Sequence, residues 1–316
     1  MSGLDVRRNH VREFMDLSRY SRAGAWSIVG CYLFLIVVAV GLGHYSLTLQ
    51  FGWGKVLAIL ALVVFIGTRL RGINNIVHEC THNSFADFRE DNVLIGKFCS
   101  AVLTGCFKKY KEDHLSHHAH LGDYDHDQEM EPIENLGLHD ELTPRTVLRH
   151  IITPLLGRHL QAYSGKNLSG DDGAFFFGLK IAILVGIAGF TLAFPLTSFW
   201  FVLLPLFYVF PTLNFWTDCL DHAGLVGETD ELRASRNVLA PKFLRAVFFP
   251  RNDSYHLIHH LFPNVPARHF DKVHARLCED TEYGQEPLAV VPLGAGALKT
   301  IRAIPNKLVP RRHTAS

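Results

Sequence analysis

Residues 26–47 read WSIVGCYLFLIVVAVGLGHYSL, an apolar run inside a longer stretch, 23–54, that contains no Asp, Glu, Lys or Arg. A helix that crosses a bilayer needs about 20 mostly apolar residues, so this run predicts a membrane span by itself. The same reasoning predicts a second span at 51–68. A second charge-free stretch, 181–217, is divided by Pro195. Together with the apolar residues before it, this stretch predicts two further spans at 174–194 and 197–217.

The average composition conceals this division. The chain has 316 residues, with 31 Lys and Arg against 30 Asp and Glu, and its net charge of +1 argues against nucleic acid as a partner. None of the six cysteines stands in a C-x-x-C pair, so no disulfide or zinc-ribbon framework is expected. All the charges fall outside the two charge-free stretches, which argues against a purely soluble protein. The sequence predicts an all-α integral membrane protein with about four transmembrane helices and a helical cap.

The distribution of arginine predicts the orientation in the membrane. Five arginines precede the first span and two follow the second, whereas the connections near 45–50 and 195–197 carry no charge. Because basic residues favour the cytoplasmic side, both termini and the cap, residues 69–173 and 218–300, are expected there. The first 25 residues carry both charge signs, so a cleavable signal peptide is not expected. We expect the whole chain, 1–316, to form a single domain.

Histidines in three closely spaced motifs are the strongest chemical signal. The motifs are HECTH, HLSHH and HLIHH, and their histidines are His78, His82, His114, His117, His118, His256, His259 and His260. On a helix these spacings place each motif's imidazoles on one face, so each motif predicts a row directed at a shared centre. His222 follows the last span and makes a ninth candidate, with Asp218 one helical turn before it. Nine imidazoles exceed the coordination of one metal and suit two.

Nearby carboxylates are candidates for orienting these imidazoles, but the sequence does not rank them. They are Glu79, Asp113, Asp123, Asp125, Asp127 and Asp221. Two histidines beside the second motif are candidates for touching the metals: His120 and His126. The remaining isolated histidines are expected to be solvated or at the membrane interface: His10, His44, His139, His150, His159 and His313.

In the order of its spans and motifs, the sequence resembles the membrane fatty acid desaturase/hydroxylase family. Two spans precede H-x-x-x-H and H-x-x-H-H, and two more spans precede the final H-x-x-H-H. The stretch 255–277, YHLIHHLFPNVPARHFDKVHARL, is similar to the third motif of that family. The resemblance implies that the eight motif histidines bind two non-haem irons, and that His222 matches a further ligand of some members. In those members Asn precedes that histidine by four residues. Asp218 stands in its place and is a candidate for a water-mediated contact with the metal or for a contact with one of its ligands.

The resemblance also implies the reaction and the partners. It implies an oxygen-dependent oxidoreductase that desaturates an aliphatic C–H/C–H pair of a lipid or acyl substrate in the membrane. A His-Pro-Gly-Gly stretch is absent from the sequence, so no fused cytochrome b5 domain is expected. The electrons are then expected from a separate ferredoxin or cytochrome-type donor with its reductase. The membrane would be the inner membrane of a bacterium or the endoplasmic reticulum of a eukaryote.

Alternatives remain open at this stage. A hydroxylase or a ketolase, acting on a fatty acyl chain, a carotenoid or a small metabolite, would use the same ligands. HECTH also satisfies the H-E-x-x-H pattern of zinc proteases, with Glu79 as the general base, but that interpretation leaves two motifs unused. A metal transporter or sensor would be non-enzymatic, and its ligands are expected inside the spans.

Overall fold

The computed structural model of the chain describes residues 2–121 and 123–292, and over these ranges it is almost entirely helical. His313 and the end of the predicted cap, 293–300, lie outside the described residues. The helices of at least four residues are α1 Gly3–Phe14, α2 Arg22–Thr48, α3 Trp53–Thr81, α4 Arg89–Val102, α5 Phe107–His120, α6 Pro144–Ile152, α7 Leu160–Tyr163, α8 Ala174–Ala193, α9 Pro195–His222, α10 Lys242–Phe248, α11 His256–Leu261, α12 Phe270–Leu277 and α13 Thr281–Gln285.

Five short 3₁₀ turns and two short strands complete the described structure. The turns are Glu131–Leu136, Thr153–Leu156, Pro250–Asn252, Ala267–His269 and Pro287–Val290. The strands β1, Val238–Leu239, and β2, Val291–Pro292, pair in parallel with Val238 opposite Val291. The all-α prediction is therefore confirmed, because the strands among the described residues are only these two, of two residues each.

In the part of the chain that the structure describes, four helices are long and apolar enough to cross a membrane: α2, α3, α8 and α9. This confirms the four predicted spans, including the break at Pro195, which begins α9 where its missing N–H costs nothing. Two of the helices extend well beyond the apolar runs. The second continues from the predicted end at 68 to Thr81, and the fourth continues from 217 to His222. Both extensions carry the polypeptide from the membrane to histidines of the candidate site.

The spanning helices pack closely through glycine. A Cβ atom placed on Gly43 of α2 would lie 2.6 Å from the ring of Phe201 on α9, and one on Gly72 of α3 would lie 2.1 Å from Tyr32. Small residues at such crossings let helix backbones approach each other where lipid offers no hydrophobic driving force. Two turns of α9, Phe199–Leu203 and Pro205–Val209, are π-helical. Pro205 has no N–H to donate, and this favours the widened turn.

Two further apolar cores lie in the cap and position its motifs. Val6 and Phe14 of α1 pack with Leu257 and Ile258 of α11, so the N-terminal helix supports the third histidine motif. Another core joins the segment after the second motif, around Ile133 and Leu138, to Phe215 near the end of α9. These contacts hold the second motif, the third motif and the end of the last span against one another.

Candidate metal centre

Four helix segments bring the histidine motifs together. His78 lies in the last turn of α3 and His82 directly follows it, the second motif lies on α5, His222 ends α9, and the third motif lies on α11. All nine predicted histidines gather in two groups, within each of which the candidate ligand atoms lie within 4.8 Å of one another. The first group contains His78, His82, His114, His118 and His259. The second group contains His117, His222, His256 and His260.

The second and third motifs are each shared between the two groups, a division that the spacing of the histidines did not predict. His114 and His118 of α5 belong to the first group, whereas His117 belongs to the second. Successive residues of a helix are separated by about 100°, so neighbouring side chains such as His117 and His118 diverge. The same separation on α11 directs His259 to the first group and His260 to the second. The two helices therefore contribute ligands to both groups.

The ring nitrogens of the first group converge on one point. The Nε2 atom of His259 lies 2.8 Å from that of His78 and 2.9 Å from that of His118. The Nε2 atoms of His118 and His114 are 3.1 Å apart. Nitrogens bound to one metal at about 2.1 Å stand about 3 Å apart when their bonds are perpendicular. The separations therefore match those of imidazoles that share a metal ion.

The second group has the same spacing with one imidazole fewer. The Nε2 atom of His256 lies 2.9 Å from that of His222 and 3.0 Å from that of His260. His117 completes the group, with its ring centroid 5.0 Å from that of His222 and 5.1 Å from that of His260. The lower number of imidazoles leaves more room at this centre for a ligand from outside the group.

Hydrogen bonds among these imidazoles cannot satisfy all of their ring nitrogens, whereas a bound cation can. Nδ1 of His222 lies 3.1 Å from the carbonyl oxygen of Ala234, which only accepts, so Nδ1 carries the proton and Nε2 presents a lone pair. His256 and His259 each face two other Nε2 atoms, yet one ring nitrogen carries at most one proton. Nε2 of His82 is buried without any hydrogen-bond partner among the described residues. A metal ion in each group satisfies all of these lone pairs.

Burial keeps most of the imidazoles outside the membrane spans neutral, which is the state that binds metal. Burial is the largest cause that lowers the pKa of these histidines: His82, His114, His118, His256, His259 and His260. His117 is the exception. Burial opposes its protonation, but its hydrogen bond to Asp127 and the negative charge of Glu129 outweigh that effect and raise its pKa.

Three carboxylates contact the outer nitrogens of these rings. The Nδ1 atom of His117 lies 2.7 Å from Asp127, that of His114 lies 2.7 Å from Glu129, and that of His256 lies 3.4 Å from Asp221. Asp127 and Asp221 are among the six carboxylates proposed from the sequence, whereas Glu129 is not. Glu129 lies fifteen residues after His114, outside α5, and a loop brings it back to this helix. A helical spacing could therefore not predict the contact.

The other predicted carboxylates have different neighbours. Asp113 pairs with Lys109 at 2.6 Å, Asp123 lies 3.1 Å from His126, and Asp125 is exposed. Glu79 accepts two hydrogen bonds from Arg251, at 2.5 Å to Nε and 3.0 Å to Nη2. Both oxygens of Glu79 therefore bind Arg251, whereas the zinc-protease alternative requires this carboxylate to activate a water molecule. Asp218 lines a cavity beside the second group but belongs to neither group.

Two polar side chains that the sequence did not single out fix the ends of the ligand-bearing helices. Arg236 is fully buried and donates to the carbonyl oxygens of Leu220 and Ala223, at 2.8 and 2.6 Å, where α9 ends at His222. Asp172 accepts hydrogen bonds from the first two N–H groups of α5, at 2.7 and 3.0 Å. Satisfying these terminal groups orients both helices. Nothing local in the sequence distinguishes either residue.

The isolated histidines of the described residues lie outside both groups. His120 and His126 are exposed and contact each other. The prediction of a solvated or interfacial position is wrong for three buried histidines: His10, His150 and His159. His10 is buried because its ring reaches Asp280, with Nε2 3.0 Å from the carboxylate. His150 and His159 pack against the ring of Phe215. His44 is exposed on α2, and His139 is half-buried beside Tyr124.

The chain is similar in sequence to known proteins of one family. A sequence model of the family described as fatty acid desaturase matches residues 55–290, more than half of the chain. The chain is 26% identical over 244 residues to the dihydrorhizobitoxine desaturase of Bradyrhizobium elkanii, covering 71% of this chain and 68% of that protein. It is 35% identical over 114 residues to the sn-1 oleoyl-lipid 12-desaturase of Anabaena variabilis, covering 36% of this chain and 30% of that protein. A bifunctional fatty acid conjugase/Delta(12)-oleate desaturase of Punica granatum is 30% identical over 124 residues, covering 37% and 31% respectively.

Proposed function

Because the chain belongs to the fatty acid desaturase family, we propose that it is an oxygen-dependent di-iron oxidoreductase that desaturates an aliphatic substrate. The observation that carries this proposal is the convergence of nine imidazoles into a group of five and a group of four. We assign the first metal to His78, His82, His114, His118 and His259, and the second to His117, His222, His256 and His260.

The bound irons would supply the activation of dioxygen and the removal of hydrogen from an unactivated C–H bond. The chain's own residues position these ions. Asp127 contacts Nδ1 of His117, and Glu129 contacts Nδ1 of His114. The carbonyl oxygen of Ala234 accepts a hydrogen bond from Nδ1 of His222. Such contacts fix which nitrogen of an imidazole faces the metal and increase its basicity. Six of the nine histidines are buried, which limits the access of bulk water to the reaction.

Desaturation is our first choice of reaction, and hydroxylation or ketolation on the same centre is the second. The relatives described above are named as desaturases, and one of them also as a conjugase, which supports this order. The substrate we propose has a lipid or acyl character, because the family acts at membranes and four helices are suited to cross one. The chain covers less than a third of the two plant and cyanobacterial relatives, so their substrates do not transfer directly.

We propose that the remaining parts of the reaction come from outside the chain. The electrons are supplied by a separate ferredoxin or cytochrome-type donor with its reductase, as membership of the family implies. The arginine distribution supports a cytoplasmic position for the cap and for both metals, where such donors are found. The spans and the cap act together as one domain, because α3 and α9 each contribute to both.

Metal analysis and product analysis test the proposal together. The chain is expressed with iron and an electron-donor system, and iron is counted per chain after purification in detergent. We expect two irons, and products that have lost two hydrogens relative to their precursors. Gain of one oxygen in place of that loss would identify a hydroxylase. One tightly bound zinc with peptidase activity would contradict the proposal.

A further inference from the structure

A cavity of about 400 Å³ reaches the candidate metal centre, where His78, His114 and His256 form part of its wall. Its other walls come from α3, α5, α9 and the segment 161–167. Most of its lining side chains are polar or charged, including Asn74, Gln128 and Gln161. Ligand cavities usually have predominantly apolar walls with a few polar groups, so this polar lining indicates a ligand that has polar atoms of its own.

The polar groups extend to the candidate metal centre. Arg71 donates to Asn214 at 2.7 Å and pairs with Asp253, and all three residues line the cavity together with His256. Nε of Arg71 is buried without a hydrogen-bond partner among the described residues. A bare hydrocarbon chain in this space would displace water from these groups and return no hydrogen bond. A substrate with polar atoms close to its reacting carbons avoids that loss.

Five carboxylates and three basic side chains line the cavity. Arg71 pairs with Asp253, Lys109 pairs with Asp113, and Glu129 lies against His114, whereas the third basic side chain is Lys166. Nζ of Lys166 donates to the carbonyl oxygen of Leu103 at 3.0 Å and lies 5.0 Å from the centre of the Phe207 ring. Lys166 forms no ion pair within the ranges 2–121 and 123–292, and burial alone lowers the pKa of its ammonium to about 8. One of its three N–H groups is engaged, so the others are available to an anionic group in the cavity.

We propose that this cavity binds a compact anionic substrate, whose acidic group pairs with Lys166 and whose reacting carbons lie beside His78, His114 and His256. A carboxylate and a phosphate share this chemistry, and either a water-soluble acid or the headgroup of a short amphiphile could carry it. The reaction on this substrate rests on the function proposed above. The binding site rests only on the cavity, its lining and Lys166.

Binding to the iron-loaded protein in phosphatidylcholine nanodiscs tests the site without turnover. The probes are hexanoate, hexyl phosphate, neutral hexanol and palmitate, measured by isothermal titration calorimetry. We expect hexanoate or hexyl phosphate to bind at least about ten-fold more tightly than hexanol, as a charge-assisted hydrogen bond allows. Lys166→Gln should abolish that preference and Lys166→Arg should restore part of it. Competition by nanodiscs that contain phosphatidylglycerol would identify a lipid headgroup as the source, and its absence a soluble acid.

Lys97 offers a matched control outside the cavity. Its ammonium also donates to a backbone carbonyl, that of Asp172 at 3.0 Å, and lies 5.8 Å from the Phe176 ring. Lys97→Gln should leave the binding of hexanoate unchanged. Failure of both short anions to bind, equal affinities for the acid and the alcohol, or tight binding of palmitate alone would overturn the inference. Formation of desaturated long acyl chains with no short-acid binding would remove this inference and leave the proposed function intact.

Discussion

The carboxylate of Glu79 and the guanidinium of Arg251 form a buried, two-pronged ion pair that joins the first histidine motif to the turn before the third. Both side chains are less than a tenth exposed. Arg251 has a φ of 67°, a left-handed conformation that costs energy in a residue with a side chain, and it lies over the ring of Phe85. A second contact joins α3 to the same turn, because Asn75 donates a hydrogen bond to the carbonyl oxygen of Pro250 at 2.8 Å. One face of α3 therefore fixes the position of α11.

Replacing Glu79 with glutamine should destabilise the protein by about 3–5 kcal/mol, because it leaves the Arg251 charge buried and unpaired. Turnover should fall in part, since Glu79 contacts no histidine ring of either group. Thermal unfolding in detergent measures the first effect and product formation the second. Glu90→Gln, on an exposed carboxylate of α4, should change neither. Complete loss of activity in a Glu79→Gln protein that melts like the wild type would contradict this role.

Replacing a histidine ligand should impair the metal site and leave the membrane scaffold intact. His117→Ala and His259→Ala should abolish turnover and lower the iron content below that of the wild type, because each removes a nitrogen from one of the two groups. Both variants should still insert into membranes, since neither residue belongs to a span. His126→Ala removes an exposed histidine beside the same motif and should retain iron and activity. Full activity in either of the first two variants would exclude that residue from the site.

The histidines were predictable from the sequence because their spacing is local, and the helical period converts spacing into direction. The division of the second and third motifs between the two groups was not, because it depends on how α5 and α11 insert between α3 and α9. The ends of the spans followed from charge-free runs, but composition alone did not show that α3 continues as one helix to Thr81. The roles of Glu129 and Arg236 could not be predicted from the sequence, since each contacts a partner that only tertiary folding brings close.

Asp127 orients His117, so Asp127→Asn should weaken metal binding or turnover by about 10–100-fold without removing a ligand. The amide keeps the size of the side chain but replaces a charged acceptor with a neutral group. Iron retention against a chelator, compared with steady-state turnover, measures the effect. Asp125→Asn changes an exposed carboxylate two residues away and serves as the control. Wild-type iron retention in Asp127→Asn would show that the His117 ring is held by other contacts.

His150 should make the protein sensitive to acid. Burial lowers its pKa to about 4, and neither ring nitrogen has a hydrogen-bond partner among the described residues. The unfolded chain binds a proton at His150 below about pH 6.5, and the folded chain does not until about pH 4, so stability falls as the pH decreases between these values. His150→Leu should be neutral or stabilising at about pH 7 and should lose less of its melting temperature on acidification to about pH 5. An equal acid sensitivity in both proteins would show that His150 is not the cause.

Two glycines of the same helix should respond in opposite ways to alanine. A Cβ atom on Gly43 would lie 2.6 Å from the Phe201 ring of α9, whereas one on Gly41 would have no atom within 4 Å. Gly43→Ala should therefore force α2 away from α9 and cost about 1–3 kcal/mol, the usual range for overpacking. Gly41→Ala should leave stability unchanged or raise it by about 0.5–1 kcal/mol, because alanine restricts the unfolded chain and favours a helix. Melting temperatures in one detergent compare the two variants, and equal values would show that the α2–α9 crossing tolerates the added methyl group.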